Sequence, residues 1–176
     1  QRSAAKAVNF GIIYGQSAFG LSQNLGISRK EAKEMIDSYF EQYPRIKAYM
    51  GEQVEFARKN GYVETLMKRR RYLKDINSGN AIVKGFAERN AVNAPIQGSA
   101  ADVIKIAMIN IQKAMKAKNM KSKMLLQVHD ELVFDVYKPE HAELEKLVKE
   151  KMETAVDISV PLDIDYKFAD NWLAAH

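Results

Sequence analysis

Apolar positions recur at helical spacing through most of the chain, and the short alternating runs fall between or after the helical stretches. A first helix is predicted over Gln1 to Tyr14, with Gly15 as its stop, and a short one over Phe19 to Leu25. Ser28-Arg29-Lys30-Glu31 reads as a capping box that opens a helix reaching about Gln42. Pro44 opens another, which ends near Asn60-Gly61. Two short strands, Tyr62 to Thr65 and Arg71 to Leu73, enclose Lys68-Arg69-Arg70, and Asn77 to Asn80 is a loop. The helical pattern returns from Ala81 to about Lys118, with an interruption and kink expected at Pro95. Pro139 begins a helix lasting to about Ala155, and Leu162 to Phe168 alternates like a final strand. Long helices with a few antiparallel strands give an α+β fold.

The stretch LLQVHDELVFDV, Leu125 to Val136, breaks the apolar pattern with three consecutive polar residues. Its flanks predict a hairpin with His129-Asp130-Glu131 at the tip. Asp130 is either a plain turn residue or a carboxylate held still by two strands for a hard cation such as Mg²⁺. Neighbouring strand residues point to opposite faces, so both carboxylates cannot easily reach one ion unless the tip distorts, and Asp130 is the better direct ligand. His129 either contacts a phosphate or sugar or packs against the turn.

Composition narrows the field. The 176 residues suit one domain, or two lobes sharing a core, and 47% hydrophobic content is enough to build one. With no cysteine, disulfides and Cys-ligated zinc are excluded. No apolar run approaches the ~20 residues of a membrane span, and no signal peptide is visible. A net charge of +5 permits a polyanionic partner without requiring one. The chain starts at Gln1 rather than Met, as expected for a piece of a longer protein.

Two rows of side chains carry candidate chemistry. Arg2, Lys6, Phe10 and Tyr14 follow i, i+4, i+8, i+12 spacing along one drifting helix stripe. Two cations followed by two rings suit a nucleotide, with cations for phosphates and rings for sugar and base; an amphipathic helix with solvated cations and buried rings is the plainer alternative. Arg89, Asn93 and Gln97 repeat the spacing beside Pro95 and Gly98. They are donor-rich and suit a nucleic-acid groove, or form an ordinary solvent-facing stripe. The small residues of AVNAPIQGSAAD permit close approach, by a partner or by a packed helix.

Taken in order, three stretches resemble the family A DNA polymerases, the bacterial DNA polymerase I type. RSAAKAVNFGIIYG is similar to that family's nucleotide-binding helix, with Arg2, Lys6, Phe10, Gly11, Tyr14 and Gly15 on its pattern. ERNAVNAPIQGSAADVIKIAM resembles the helix along the primer-template minor groove, and LLQVHDELVFDV the palm hairpin bearing one catalytic Asp. The similarity extends from Gln1 to the terminal NWLAAH. There are departures. Ser3 stands where the family has a second Arg, and Met67-Lys68 where a Gly often precedes the basic run. The upstream strand with a second metal-binding Asp, and the Glu that excludes ribonucleotides, have no counterpart in the sequence.

The resemblance implies part of a mostly helical fingers region over 1–78 and part of a palm with a small antiparallel sheet over 79–176. It implies nucleotidyl transfer from a dNTP to a primer 3′-hydroxyl with two Mg²⁺ ions in the intact parent. Arg2 and Lys6 would hold the triphosphate, Phe10 would pack on the incoming sugar and base, and Tyr14 would stack near the templating position. Phe rather than Tyr at position 10 goes with discrimination against dideoxynucleotides in this family. Arg89, Asn93, Gln97 and His129 would contact primer-template DNA, and Lys68, Arg69, Arg70 and Arg71 its phosphates. Asp130 would ligate metal, with Glu131, Lys6 and Arg2 in the catalytic group. The partners implied are primer-template DNA, a dNTP and the rest of the chain upstream of residue 1, with no membrane; the setting is the bacterial cytoplasm, at the nucleoid. The alternative is a DNA-binding module without chemistry, for which Phe19 to Tyr39 offers a helix-turn-helix with Gly26 in the turn. A purely structural domain is the third reading.

Overall fold

The computed structural model describes residues 2–175; the side chains of Arg2, Ser3, Ala4 and Ala7 lie outside the described set. The elements run α1 (Arg2–Ile13), α2 (Ala18–Leu25), α3 (Arg29–Gln42), α4 (Pro44–Asn60), β1 (Tyr62–Glu64), β2 (Arg70–Tyr72), α5 (Ala81–Ala117), β3 (Lys123–Val128), β4 (Glu131–Asp135), a 3-10 turn at Lys138–Glu140, α6 (His141–Glu153) and α7 (Trp172–Ala175). Helices dominate, and among the described residues the strands pair as two antiparallel hairpins, β1 with β2 and β3 with β4. The fold is α+β, as the periodicity predicts.

The chain divides into two compact units, one through Ser99 and one from Ala100. The division falls inside α5.

In the first unit, local signals set the helix ends. The Ser28 hydroxyl accepts the Glu31 amide at 3.2 Å and the Glu31 carboxylate accepts the Ser28 amide at 2.8 Å, closing the capping box. Ser17 caps α2 by accepting from the Gly20 amide. One core gathers Ile12, Leu21 and Ala32 among α1, α2 and α3. Another gathers Ala57 of α4, Val63, Leu73, Ile76 and, from α5, Ala87, Ala91 and Ala94.

In the second unit, Ile111 and Met115 of α5 pack with Leu144 and Leu147 of α6. Leu132 and Phe134, two residues apart on β4, and Val136 just beyond it pack against that core. The hairpin register pairs Met124 with Phe134 but Leu126 with Val133, so Leu125 is an extra residue that forms a bulge.

Three expectations need correction. α5 is not interrupted at Pro95, which lies within a continuous 37-residue helix; proline deletes one backbone donor, and the buried alanine face on its N-terminal side holds the helix together. Leu162 to Phe168 is not a strand. Alternation needs an edge to pair with, and here Phe168 packs edge-on to the His141 ring while the Glu145 carboxylate beside Tyr166 raises that phenol's pKa, both partners on α6. The tip of the second hairpin is narrower than His129-Asp130-Glu131: Val128 pairs with Glu131, so only His129 and Asp130 form the turn.

A clamp closes the far end of this hairpin. The Glu140 carboxylate accepts the Lys121 and Ser122 amides, each at 2.8 Å, and the Ser122 hydroxyl at 2.7 Å. The Ser122 oxygen accepts the Tyr137 amide at 3.0 Å. These bonds, led by the Lys121 amide and then the Ser122 amide, hold the Glu140 carboxyl below its ordinary value. A depressed folded-state pKa stabilises fully above the unfolded-chain value of ~4.3 and is lost as pH falls through the lower folded value. Glu140→Gln is therefore expected to lower the urea midpoint at neutral pH, and the difference from the unmodified chain should shrink as acid passes below the carboxylate range. Midpoints that differ equally at both ends of that range would exclude the Glu140 charge as the cause.

Candidate functional site

The first unit carries the stripe on α1. Arg2 begins this helix, but its side chain lies outside the described residues. The Lys6 ammonium sits 5.7 Å from the Phe10 ring centroid. Phe10 stacks on Tyr14 at 5.8 Å with an interplanar angle of 15°. Both rings are exposed, at 45% and 43%. The amphipathic alternative required them to be buried, and they are not. Among the described residues of α1, Ile12 is the buried one, at 2% exposure. A cation followed by two accessible stacked rings is a surface that can take up a phosphate beside a base and sugar.

Gly15 ends the stripe in a left-handed turn, φ +75°. A Cβ there would lie 3.2 Å from Cγ of Arg89, so the Arg89 stem crosses the end of α1 against bare backbone. The first two rows predicted from spacing therefore meet at this point. Arg89 and Gln97 are exposed and Asn93 is half-buried. A side-chain amide of Gln16 fills the space beside Gly11 and Gly20, which seats α2 on α1.

The basic turn between β1 and β2 docks on α5 beside Gln97. Lys68 adopts φ +61° in this turn. Arg69 donates from Nη2 to the Gly98 carbonyl at 3.1 Å. Arg70 donates to Glu64 at 3.0 Å and covers the Tyr62 ring at 4.4 Å, so part of its charge is used within the hairpin. The Leu66 amide donates to the Ser99 hydroxyl at 2.8 Å, and that hydroxyl donates to the Pro95 carbonyl at 2.5 Å. Sequence reading passed over Thr65 and Ser99; the run of small residues in AVNAPIQGSAAD was the available signal, and it also fitted plain helix packing.

The second unit presents His129 and Asp130 in a two-residue turn. Primed hairpin turns need a positive φ, and His129 adopts +54° without being glycine. The Gln127 side chain donates to the His129 carbonyl at 2.7 Å and braces the turn. His129, Asp130 and Glu131 are all exposed. Asp130 is thus available as one metal ligand, but among the described residues no group of three or more His, Asp or Glu side chains gathers to hold an ion.

The family model for DNA polymerase family A matches residues 1–174. DNA polymerase I of Streptococcus pneumoniae serotype 4 is 61% identical over 174 residues, which are 99% of this chain and 20% of that protein. DNA polymerase I of Bacillus subtilis strain 168 is 54% identical with the same coverage. A solved structure of the POL domain of Pol1 from M. smegmatis, in complex with DNA primer-template and dNTP, superposes with a TM-score of 0.96 at 48% identity, covering 99% of this chain and 31% of that one. The chain thus spans about a fifth of the length of the curated relatives it matches.

Gly15→Ala is expected to lower unfolding free energy by about 1–2 kcal/mol, because an L side chain resists the left-handed region, with Arg89 crowding the new methyl. Urea denaturation measures it; an unchanged midpoint would mean that the turn relaxes freely.

Proposed function

This chain belongs to DNA polymerase family A, and from that premise we propose that it is the nucleotide-gripping and primer-template-gripping portion of a DNA-directed DNA polymerase. Residues 1–78 are part of the fingers and 79–176 part of the palm. The observation that carries the reading is the exposed Lys6–Phe10–Tyr14 stripe, in the family's motif and with its rings stacked and accessible.

Lys6, with Arg2, neutralises the triphosphate and meets the charge that develops on the departing pyrophosphate. Phe10 packs on the incoming sugar and base, and Tyr14 supports the templating position. Arg89, Asn93 and Gln97 follow the minor groove, whose acceptors are nearly the same for every base pair, as an enzyme that copies any sequence requires. His129 contacts the primer strand, and Arg69 and Arg70 contact phosphates. Asp130 would serve as a metal ligand with Glu131 beside it; Mg²⁺ held there in the intact protein would supply stabilisation of the attacking and leaving oxygens. One turn carboxylate fits one position in such a site and does not complete it. The working setting is the bacterial cytoplasm, on nucleoid DNA.

For the chain by itself a second reading has support: a DNA-binding module without chemistry. The exposed Arg89 and Gln97 beside the basic Arg69 turn favour it.

Primer extension with Mg²⁺ and four dNTPs is expected to show no synthesis by this chain or by its Asp130→Ala form; extension lost on Asp130→Ala would refute the claim that the chain is insufficient. In the full-length protein, Lys6→Ala should slow incorporation by ~10²–10³, the loss typical of one preorganised charge-stabilising donor, as read by single-turnover kinetics.

A further inference from the structure

We infer that Ser99, working with Gly98, is a positioning residue: it fixes the basic Lys68-Arg69 turn to α5 so that the turn and the Arg89–Asn93–Gln97 row engage DNA as one surface. The inference rests on the DNA-binding reading above and adds a device that reading does not contain.

The geometry is specific. Ser99 is 9% exposed, and its hydroxyl is used twice, donating to the Pro95 carbonyl and accepting the Leu66 amide. Leu66 itself is 56% exposed, so this bond is not a by-product of a buried side chain. One residue earlier, Gly98 leaves room for Thr65, whose Cγ2 stands 2.5 Å from where a Cβ would be. The Thr65 hydroxyl accepts the Arg69 amide at 3.3 Å, and the Thr65 amide donates to the Arg69 carbonyl at 3.0 Å. The Arg69 guanidinium then returns to the Gly98 carbonyl at 3.1 Å. Turn and helix are tied at both ends of a short loop, and the helix side of the tie adjoins Gln97. A turn attached only by its strands would be free to swing its cations, and a phosphate contact made by a mobile arginine carries more ordering cost.

The test is fluorescence anisotropy of this chain on a labelled primer-template duplex across a salt series. Each phosphate contact contributes ~0.9 to the slope of log affinity against log salt. Ser99→Ala is expected to weaken binding and lower the slope by about that amount, Ser99→Thr, which keeps the hydroxyl, to restore both, and Ser99→Ala to add nothing in an Arg69→Gln background. Thr65→Ala, which removes the methyl over Gly98 and the acceptor for the Arg69 amide, should act as Ser99→Ala does and serves if Ser99→Ala fails to fold. If Arg69→Gln lowers the slope while Ser99→Ala and Thr65→Ala leave affinity and slope unchanged, the positioning role is wrong and the DNA reading stands. If the unmodified chain does not bind the duplex, both fall.

Discussion

Close packing against the alanine face of α5 is the constraint on which the first unit depends. Ala87, Ala91 and Ala94 are buried, and their small side chains let α4 and the β1–β2 hairpin come close enough for Ala57, Val63 and Leu73 to share one core with them. Larger residues at these positions would overpack that core. The same helix carries Arg89, Asn93 and Gln97, displaced around its axis from the buried face by the 3.6-residue period. Burial of one face therefore sets the orientation of the other. The close approach continues at Gly98, where Thr65 rests on bare backbone, and the turn bearing Arg69 is seated by the packing that orients the polar row.

α1 depends on a related economy of space. Ile12 anchors its inner side, while Gly11, Gly15 and Gly20 leave room for Gln16 and the Arg89 stem. With its inner face committed, the helix leaves Lys6, Phe10 and Tyr14 outward and stacked. Exposed rings forgo burial worth about 25 cal/mol per Å² of apolar surface. That area stays open to solvent because the burial of Ile12 on the inner side fixes which way the helix faces.

The second unit holds its carboxylate from both ends of a hairpin. Leu132, Phe134 and Val136 bind the outgoing strand to the α5–α6 core, and Glu140 with Ser122 closes the base. The turn of His129 and Asp130 stands out from this support with its backbone in a conformation that few non-glycine residues adopt. A braced base and an exposed tip leave the Asp130 carboxylate open to solvent.

What the sequence by itself determined was whatever depends on near neighbours along the chain. The capping box at Ser28 and Glu31, the stops at Gly15 and Gly61, the helix opened by Pro44 and the hairpin around Asp130 all arise from interactions within a few residues, and all form. The three family motifs were legible for the same reason, since spacing along a helix or a turn is a local property. Tertiary structure alone decided the rest. Alternation in Leu162 to Phe168 has no effect without an edge to pair with, and the segment packs on α6 instead. Pro95 lies in an unbroken helix because the preceding turns are buried by residues distant in sequence. Whether Phe10 and Tyr14 were core or surface, and whether the small residues around Gly98 admitted a helix or a turn, was set by partners that no local pattern names.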